Sequence, residues 1–470
     1  MKNYNYTFLL SISLVAALGG LLFGYDWVVI GGAKPFYELY FGIADSPALQ
    51  GWAMSSALVG CVAGAAVAGK LADSYGRRPL LIFAAVLFSL SAIGTGASET
   101  FTTFIIWRIV GGIGIGIAST ISPLYIAEIA PQETRGLFVS INQLTVVIGI
   151  LGAQITNMLI TESIPDSFTP EQILSSWNGQ TGWRYMFWAG LLPAVLFFVL
   201  MFLIPESPRY MAKKQKYSKA EVTLAKIGGL AYAENELSNI KATFDATDDS
   251  RTDIKMLFDK KALSILTIGV VLAAFQQWCG INIIFNYAQE IFVSAGYSIN
   301  DLFMNIVITG SINLVFTIVA MGTVDRFGRK KLMLLGSGGL AIIYAVMGYF
   351  YYTNVTGLPL LLLVLLAIAI YAMSLAPIVW VILSEIFPNR IRGVAMSIAT
   401  FALWIASALL VQTFPFFNEY LGTSGTFWVY GIICGLGFIF VLRKLPETKN
   451  KSLEEIEELL LNDSKPSAKK

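Results

Sequence analysis

Twelve separated runs of predominantly apolar residues, at about 8–31, 51–71, 80–97, 102–125, 138–160, 183–204, 263–288, 302–322, 332–352, 360–384, 395–417 and 426–443, constrain this chain more than any other feature. Each is close to the roughly 20 residues that a helix needs to cross a bilayer. In hydrocarbon a backbone must satisfy its own N–H and C=O groups, which a helix does within one segment. The sequence therefore predicts an all-α membrane protein with twelve transmembrane helices. The first run follows a short polar start, as a secretory signal does. It continues past Leu22 and eleven more runs follow, so it is read as a span.

Composition agrees. Charged residues make up 13% of the chain, against about 25% in soluble proteins, and a net charge of +2 offers no basic surface for nucleic acid. There is no histidine, which removes the commonest general base and metal ligand. Cys61, Cys279 and Cys434 lie inside apolar runs and read as small core residues. A soluble enzyme is excluded, and no cofactor or metal is expected.

Lys and Arg orient the helices. With the N-terminus in the cytoplasm, all but three of the 32 basic residues fall on the cytoplasmic side, the exceptions being Lys34 and Arg184 at outer rims and Arg108 inside the fourth span. Acidic residues are less biased, with Glu38, Asp45, Glu99 and Glu290 among those outside. This is the asymmetry of the positive-inside rule, and it places both termini in the cytoplasm. The long hydrophilic stretch 205–262 then reads as a cytoplasmic linker of short helices between a first half, 1–204, and a second, 263–443, with a cytoplasmic tail over 444–470.

The two halves are related. Asp73-Ser-Tyr-Gly-Arg77-Arg78 returns as Asp325-Arg-Phe-Gly-Arg329-Lys330, 252 residues later; Glu128-Ile-Ala-Pro through Arg135-Gly returns as Glu385-Ile-Phe-Pro through Arg392-Gly, 257 later; Pro205-Glu206-Ser207 returns as Pro446-Glu447-Thr448, 241 later. Order and offset agree, and all six copies fall on one side, so the halves are parallel six-helix repeats, an architecture that transporters use with the substrate site between the halves. These motifs serve equally as turn signals and anchors. The recurrence of an acid near one span's end and an Arg at the next span's start points further, to ion-pair clusters that act as a conformational latch: Asp73, Arg77, Glu128 and Arg135, with Asp325, Arg329, Glu385 and Arg392. Exposed pairs are worth about 0–1 kcal/mol each, which suits a latch that must open.

Charges inside spans are expensive and tend to mark pathways. Asp26, late in the first span, and Arg108, in the fourth above a glycine run, are either a static pair or a proton carrier and its sensor. Amides supply the other polar signal. Gln276, Gln277, Asn282 and Asn286 crowd the seventh span, Gln143 and Asn313 lie in the fifth and eighth, and Trp380 and Trp404 in the tenth and eleventh. Amides both donate and accept, and aromatic faces pack against C–H surfaces, a combination suited to a neutral polyhydroxylated solute. Singly, each amide serves equally well as interhelical glue.

The ordered motifs resemble the sugar porters of the major facilitator superfamily across essentially the whole length. They are Gly-Tyr-Asp at 24–26, Gly-Arg-Arg and Gly-Arg-Lys in the paired loops, Arg-x-x-Gly-Gly at 108–112, Pro-Glu-Ser-Pro-Arg at 205–209, Gln-Gln-x-x-Gly-Ile-Asn at 276–282 and Pro-Glu-Thr-Lys at 446–449. The resemblance is closest to bacterial xylose-type proton symporters and glucose facilitators. It implies the major facilitator fold, a sugar site lined by Gln143, Gln276, Gln277, Asn282, Asn313 and Trp380, and proton coupling by Asp26 with Arg108. Four positions depart from the family pattern. Asn286 replaces an aromatic, Leu403 an amide, Ala376 the glycine of a Gly-Pro pair, and Gly190 a glutamate carried by some proton-coupled members. A pocket that leaves a sugar hydroxyl unpaired discriminates strongly against that sugar, so Leu403 leaves the particular sugar unassigned. The expectation is a monomeric inner-membrane monosaccharide:proton symporter working by alternating access, with a passive sugar or polyol facilitator as the alternative. A non-transporting sugar sensor and an exporter of apolar compounds fit the short tail and the mid-membrane amides less well.

Overall fold

A computed structural model of the chain describes residues 4–131, 133–165, 167–247, 260–387 and 392–449. Among these residues every regular element is a helix, and eleven helices are long and apolar enough to cross a membrane. The last, Arg392–Lys444, has 53 residues and would reach about 80 Å if straight, more than twice a hydrocarbon core of about 30 Å. It leaves helical geometry at Gly422 (φ 65°, ψ 174°) and is two segments. All twelve predicted spans are therefore helical.

Several helices outlast their apolar runs. The first, Tyr6–Phe41, has 36 residues and extends about 54 Å. Asn5 caps its start, accepting from the N–H of Phe8 at 3.0 Å, and Gly42 (φ 65°) closes its end by donating to Glu38 and Leu39 carbonyls. Other spans are interrupted. The sixth runs as Trp183–Ala189 and Leu191–Met201, with Gly190 in a right-handed helical conformation (φ −63°, ψ −17°) between them. The seventh breaks at Gly280 (φ 86°), between Lys260–Trp278 and Ile281–Asn286, and continues as Ala288–Ser294. The tenth breaks at Ser374 (φ −127°, ψ −87°), between Leu358–Met373 and Leu375–Ile386.

The chain forms two compact units. The first comprises Met1–Arg251 with Phe285–Val293 and Tyr297–Leu314; the second comprises Thr252–Ile284, Ser294–Gly296 and Val315–Lys470. In the first unit, the second span (Pro47–Tyr75) and fourth (Phe101–Ile129) meet backbone to backbone. A Cβ on Gly60 would lie 2.2 Å from the Ile109 carbonyl oxygen, and one on Gly112 only 1.9 Å from that of Ala57. Small residues permit this approach, which substitutes for the hydrophobic drive that lipid cannot provide. In the second unit, Trp278 donates to the Ala406 carbonyl at 2.9 Å and Trp428 to that of Ala345 at 3.2 Å, tying the last long helix to its neighbours. The hydrophilic stretch forms three helices, Pro208–Lys213, Tyr217–Gly228 and Leu230–Thr247, around a small core that includes Met211, Leu224, Leu237 and Ile240. The start of the chain docks against it: Asn5 donates its N–H to the Ile227 carbonyl at 2.7 Å, and Tyr4 packs edge-on to Tyr232. The three cysteines are buried free thiols.

Gly112→Ala must push the second and fourth spans apart, so it is expected to destabilise the protein by about 1–3 kcal/mol. Gly152→Ala meets nothing within 4 Å and should be neutral or slightly stabilising. Thermal unfolding of the two purified variants in detergent checks the contrast.

Candidate functional site

The first unit brings Asp26 and Arg108 together: the guanidinium donates to Asp26 Oδ1 at 2.8 Å. Arg108 is 2% exposed, and its guanidinium lies over the Phe187 ring at 5.8 Å. Asp26 Oδ2 and Arg108 Nε are buried and have no hydrogen-bond partner. The pair therefore leaves unspent polar capacity on both sides. That capacity distinguishes it from a fully saturated structural bridge, in which every lone pair and proton is met.

The amides divide between the units. In the second unit, Gln276 Nε2 donates to the Leu375 and Ala376 carbonyls, each at 3.1 Å, bracing the break in the tenth span. Its Oε1 is buried without a partner. Asn282 donates to Gln277 Oε1 across the Gly280 break, so the interruption lets amides on different faces of a regular helix converge. Trp380 lies on the segment after the tenth-span break and is 38% exposed, whereas Trp404 is buried. In the first unit, Asn286 and Asn313 are buried and Gln143 is exposed on the fifth span.

The repeated motifs build the same device twice. In the first unit, Glu206 accepts from the backbone N–H of Arg77 (3.1 Å), Arg78 (3.3 Å) and Ser207 (2.7 Å). In the second, Glu447 accepts from Arg329 (2.9 Å), Lys330 (3.2 Å) and Lys449 (3.1 Å). Each carboxylate thus sits on the N-terminus of a span, where unsatisfied N–H groups and the helix dipole favour an anion. The glycine of each Asp-x-x-Gly-Arg motif makes this possible. Gly76 (φ 107°) and Gly328 (φ 90°) adopt positive φ, and a Cβ would lie 2.3 Å from Glu206 Oε2 or 2.8 Å from Glu447 Oε2. Burial pushes the Glu206 carboxyl above the usual glutamate range, against the pull of those N–H donors.

Around each capped turn lies an ion pair. Arg77 donates to Glu128 at 2.8 Å and to Asp73 at 3.4 Å, and Ser207 also holds Glu128. Arg329 donates to Glu385 at 3.1 Å, and Thr448 holds the other oxygen of Glu385 at 2.6 Å. Arg78 and Lys330 complete the symmetry by donating to carbonyls that end another span, Met201 and Phe202 in one unit and Leu442 in the other. Arg135 stands apart from Glu128, and its Nε has no partner. The side chains of Asp325 and Arg392 lie outside the described residues.

Comparison with known proteins agrees with this duplicated, charge-braced architecture. A profile of the sugar (and other) transporter family matches residues 12–460. The chain belongs to the sugar (and other) transporter family. It is 39% identical to the D-xylose-proton symporter of Escherichia coli (strain K12), over 97% of this chain and 96% of that one. It is also 39% identical to the arabinose-proton symporter of Bacillus subtilis (strain 168), with the same coverage. The inward-open structure of the E. coli xylose transporter XylE superposes with a TM-score of 0.83 at 37% identity, covering 96% of this chain and 99% of that one. As a member of this transporter family, the chain is a multi-pass membrane protein and not an enzyme.

This family member also carries an ionic cluster that the sequence reading left among rim charges. Lys34 is 2% exposed; it pairs with Glu38 one turn on, at 2.9 Å, and with Glu290 on the Phe285–Val293 segment of the first unit. The Tyr287 ring lies 5.5 Å from its ammonium. The i,i+4 spacing of Lys34 and Glu38 was the available signal, but Glu290 lies 256 residues away and only folding joins it. Removing one partner of a buried cluster leaves the others uncompensated. Lys34→Met is therefore expected to cost about 3–5 kcal/mol. Lys213→Met breaks the exposed pair with Asp73 and should stay within about 1 kcal/mol. Thermal melts of both variants measure the difference.

Proposed function

We propose that the protein is a secondary active sugar transporter, a monosaccharide:proton symporter that works by alternating access in the cell inner membrane. It acts as a monomer with both termini in the cytoplasm. Asp26 carries the reading: a partly buried carboxylate with one oxygen on Arg108 and the other, buried, without a hydrogen-bond partner has a place for a proton. Protonation removes the charge that holds Arg108, so proton binding and helix rearrangement are coupled through a single ion pair. The names of the 39%-identical relatives, proton symporters for xylose and arabinose, support the same reading.

In this reading Gln143, Gln276, Gln277, Asn282, Asn286, Asn313, Trp380 and Trp404 contact the sugar. Gln276 is instructive, because its amino group is committed to the tenth-span break while its carbonyl oxygen remains to accept from a hydroxyl. The halves 1–204 and 263–443 move as bodies joined by the linker 205–262. The clusters of Asp73, Arg77 and Glu128, and of Arg329 and Glu385, brace the ends of spans within each half. Arg135, Asp325 and Arg392 belong to the same latch. Gly190 favours a second reading, a passive sugar or polyol facilitator, because it leaves Asp26 without a second acid nearby.

Uptake of labelled pentoses, hexoses and polyols into energised cells tests the proposal. Symport predicts accumulation that a protonophore collapses, whereas a facilitator only equilibrates its sugar. Asp26→Asn is expected to abolish accumulation while retaining sugar exchange, and normal accumulation by that variant would refute the coupling role.

A further inference from the structure

The first, third (Arg77–Gly96) and sixth spans enclose a cavity of about 20 Å³ beside Asp26, lined by Tyr25, Ser91, Thr95, Phe187 and Gly190 among others. One water needs about 10–15 Å³ of such space and two to four polar partners, so the cavity has room for one water and is far too small for a sugar. Two lining residues have unspent polar atoms. Thr95 is 1% exposed, and its Oγ1 makes no hydrogen bond, although a helical threonine can donate to the carbonyl four residues back. Asp26 Oδ2 is the other. The remaining hydroxyls are committed, Ser91 to the Trp107 carbonyl at 2.9 Å and Tyr25 to that of Met186 at 3.0 Å. The space exists because residue 190 has no side chain: a Cβ there would lie 3.0 Å from Tyr25 Cε1 and 3.2 Å from the Phe187 carbonyl oxygen.

We propose that this cavity is a binding site for one water molecule, held between Thr95 Oγ1 and Asp26 Oδ2, and that this water is the hydrogen-bond partner of the carboxylate oxygen that Arg108 leaves free. The water site does not depend on the reading of Asp26 as the proton carrier. The groups facing Asp26 leave few rivals for this role. The fourth span brings Arg108 and the second brings Cys61; Tyr25 is on its own span, with Thr156 of the fifth beside the Tyr25 hydroxyl. The third and sixth spans contribute no charged lining residue.

The test is infrared spectroscopy of the full-length purified protein in ordinary and oxygen-18 water, following the isotope-sensitive O–H stretch of an isolated buried water. The unmodified protein is expected to show one such band, shifted in Asp26→Asn. Thr95→Val removes the second partner of the water and Gly190→Ala narrows its space, so each is expected to lose the band, whereas Thr95→Ser, which keeps the hydroxyl, is expected to retain it. Absence of the band from the unmodified protein, or its persistence in both Thr95→Val and Gly190→Ala, would overturn the water site. Because the band reports the water whether or not Asp26 drives transport, this outcome is separate from accumulation by Asp26→Asn, which tests the coupling reading alone.

Discussion

A charge taken out of water must take its counter-charge with it, and the polar architecture of this transporter follows from that requirement. Among the described residues, Arg108 is buried against Asp26, Lys34 against Glu38 and Glu290, and Arg77 against Glu128. The bonds of Arg108 to Asp26, Lys34 to Glu290 and Arg77 to Glu128 each join two different helices, and separating those helices would strand a charge at a cost of several kcal/mol. Apolar packing in lipid lacks such directionality, since hydrocarbon tails solvate leucine as well as another helix does. Ionic pairs and glycine contacts therefore specify the arrangement, while the apolar surface specifies only that a helix is in the membrane.

The second organising element is the carboxylate-capped helix start, built once in each unit. Glu206 and Glu447 bind successive N–H groups at the start of a span, and a nearby Arg or Lys closes the carbonyl end of another. A helix start and a helix end are thereby fastened by complementary charge, which favours motion of the bracketed spans as one body. The same economy governs the interrupted helices. Where the tenth span breaks at Ser374, Gln276 takes up two of its carbonyls and its remaining oxygen becomes the available acceptor. Anchoring one atom of this amide against the tenth span and leaving its other atom ready for a ligand are thus one arrangement.

Much of this was legible from residues alone. The twelve spans follow from apolar length, and the duplication from three motifs at nearly one offset. The pairing of Asp26 with Arg108 was foreseeable because two lone charges in lipid have few places to go. Other features were not. Arg77 and Glu128 were both singled out, yet the repeat offered Arg135 as an equally good partner in sequence, and only packing chose Arg77. Lys34 and Glu290 read as ordinary rim charges because positive-inside counting registers side, not depth. The break at Gly280 was half legible: Gln276, Asn282 and Asn286 do not share one helical stripe, so a glycine-loosened or broken helix was the way to turn them toward one cavity, but a glycine inside a helix is as often a packing contact as a kink.

The sequence by itself determined the class of the protein, the number and order of its spans, their internal repeat and the identity of the scarce intramembrane charges. All of these are set by solvation, which acts on each segment separately and can be read segment by segment. Only the tertiary structure decided which charges share a bond, which amide atoms are committed to backbone carbonyls, and where a glycine leaves room beside a carboxylate. Those outcomes depend on distances between residues tens to hundreds of positions apart, and such distances are fixed only when helices meet.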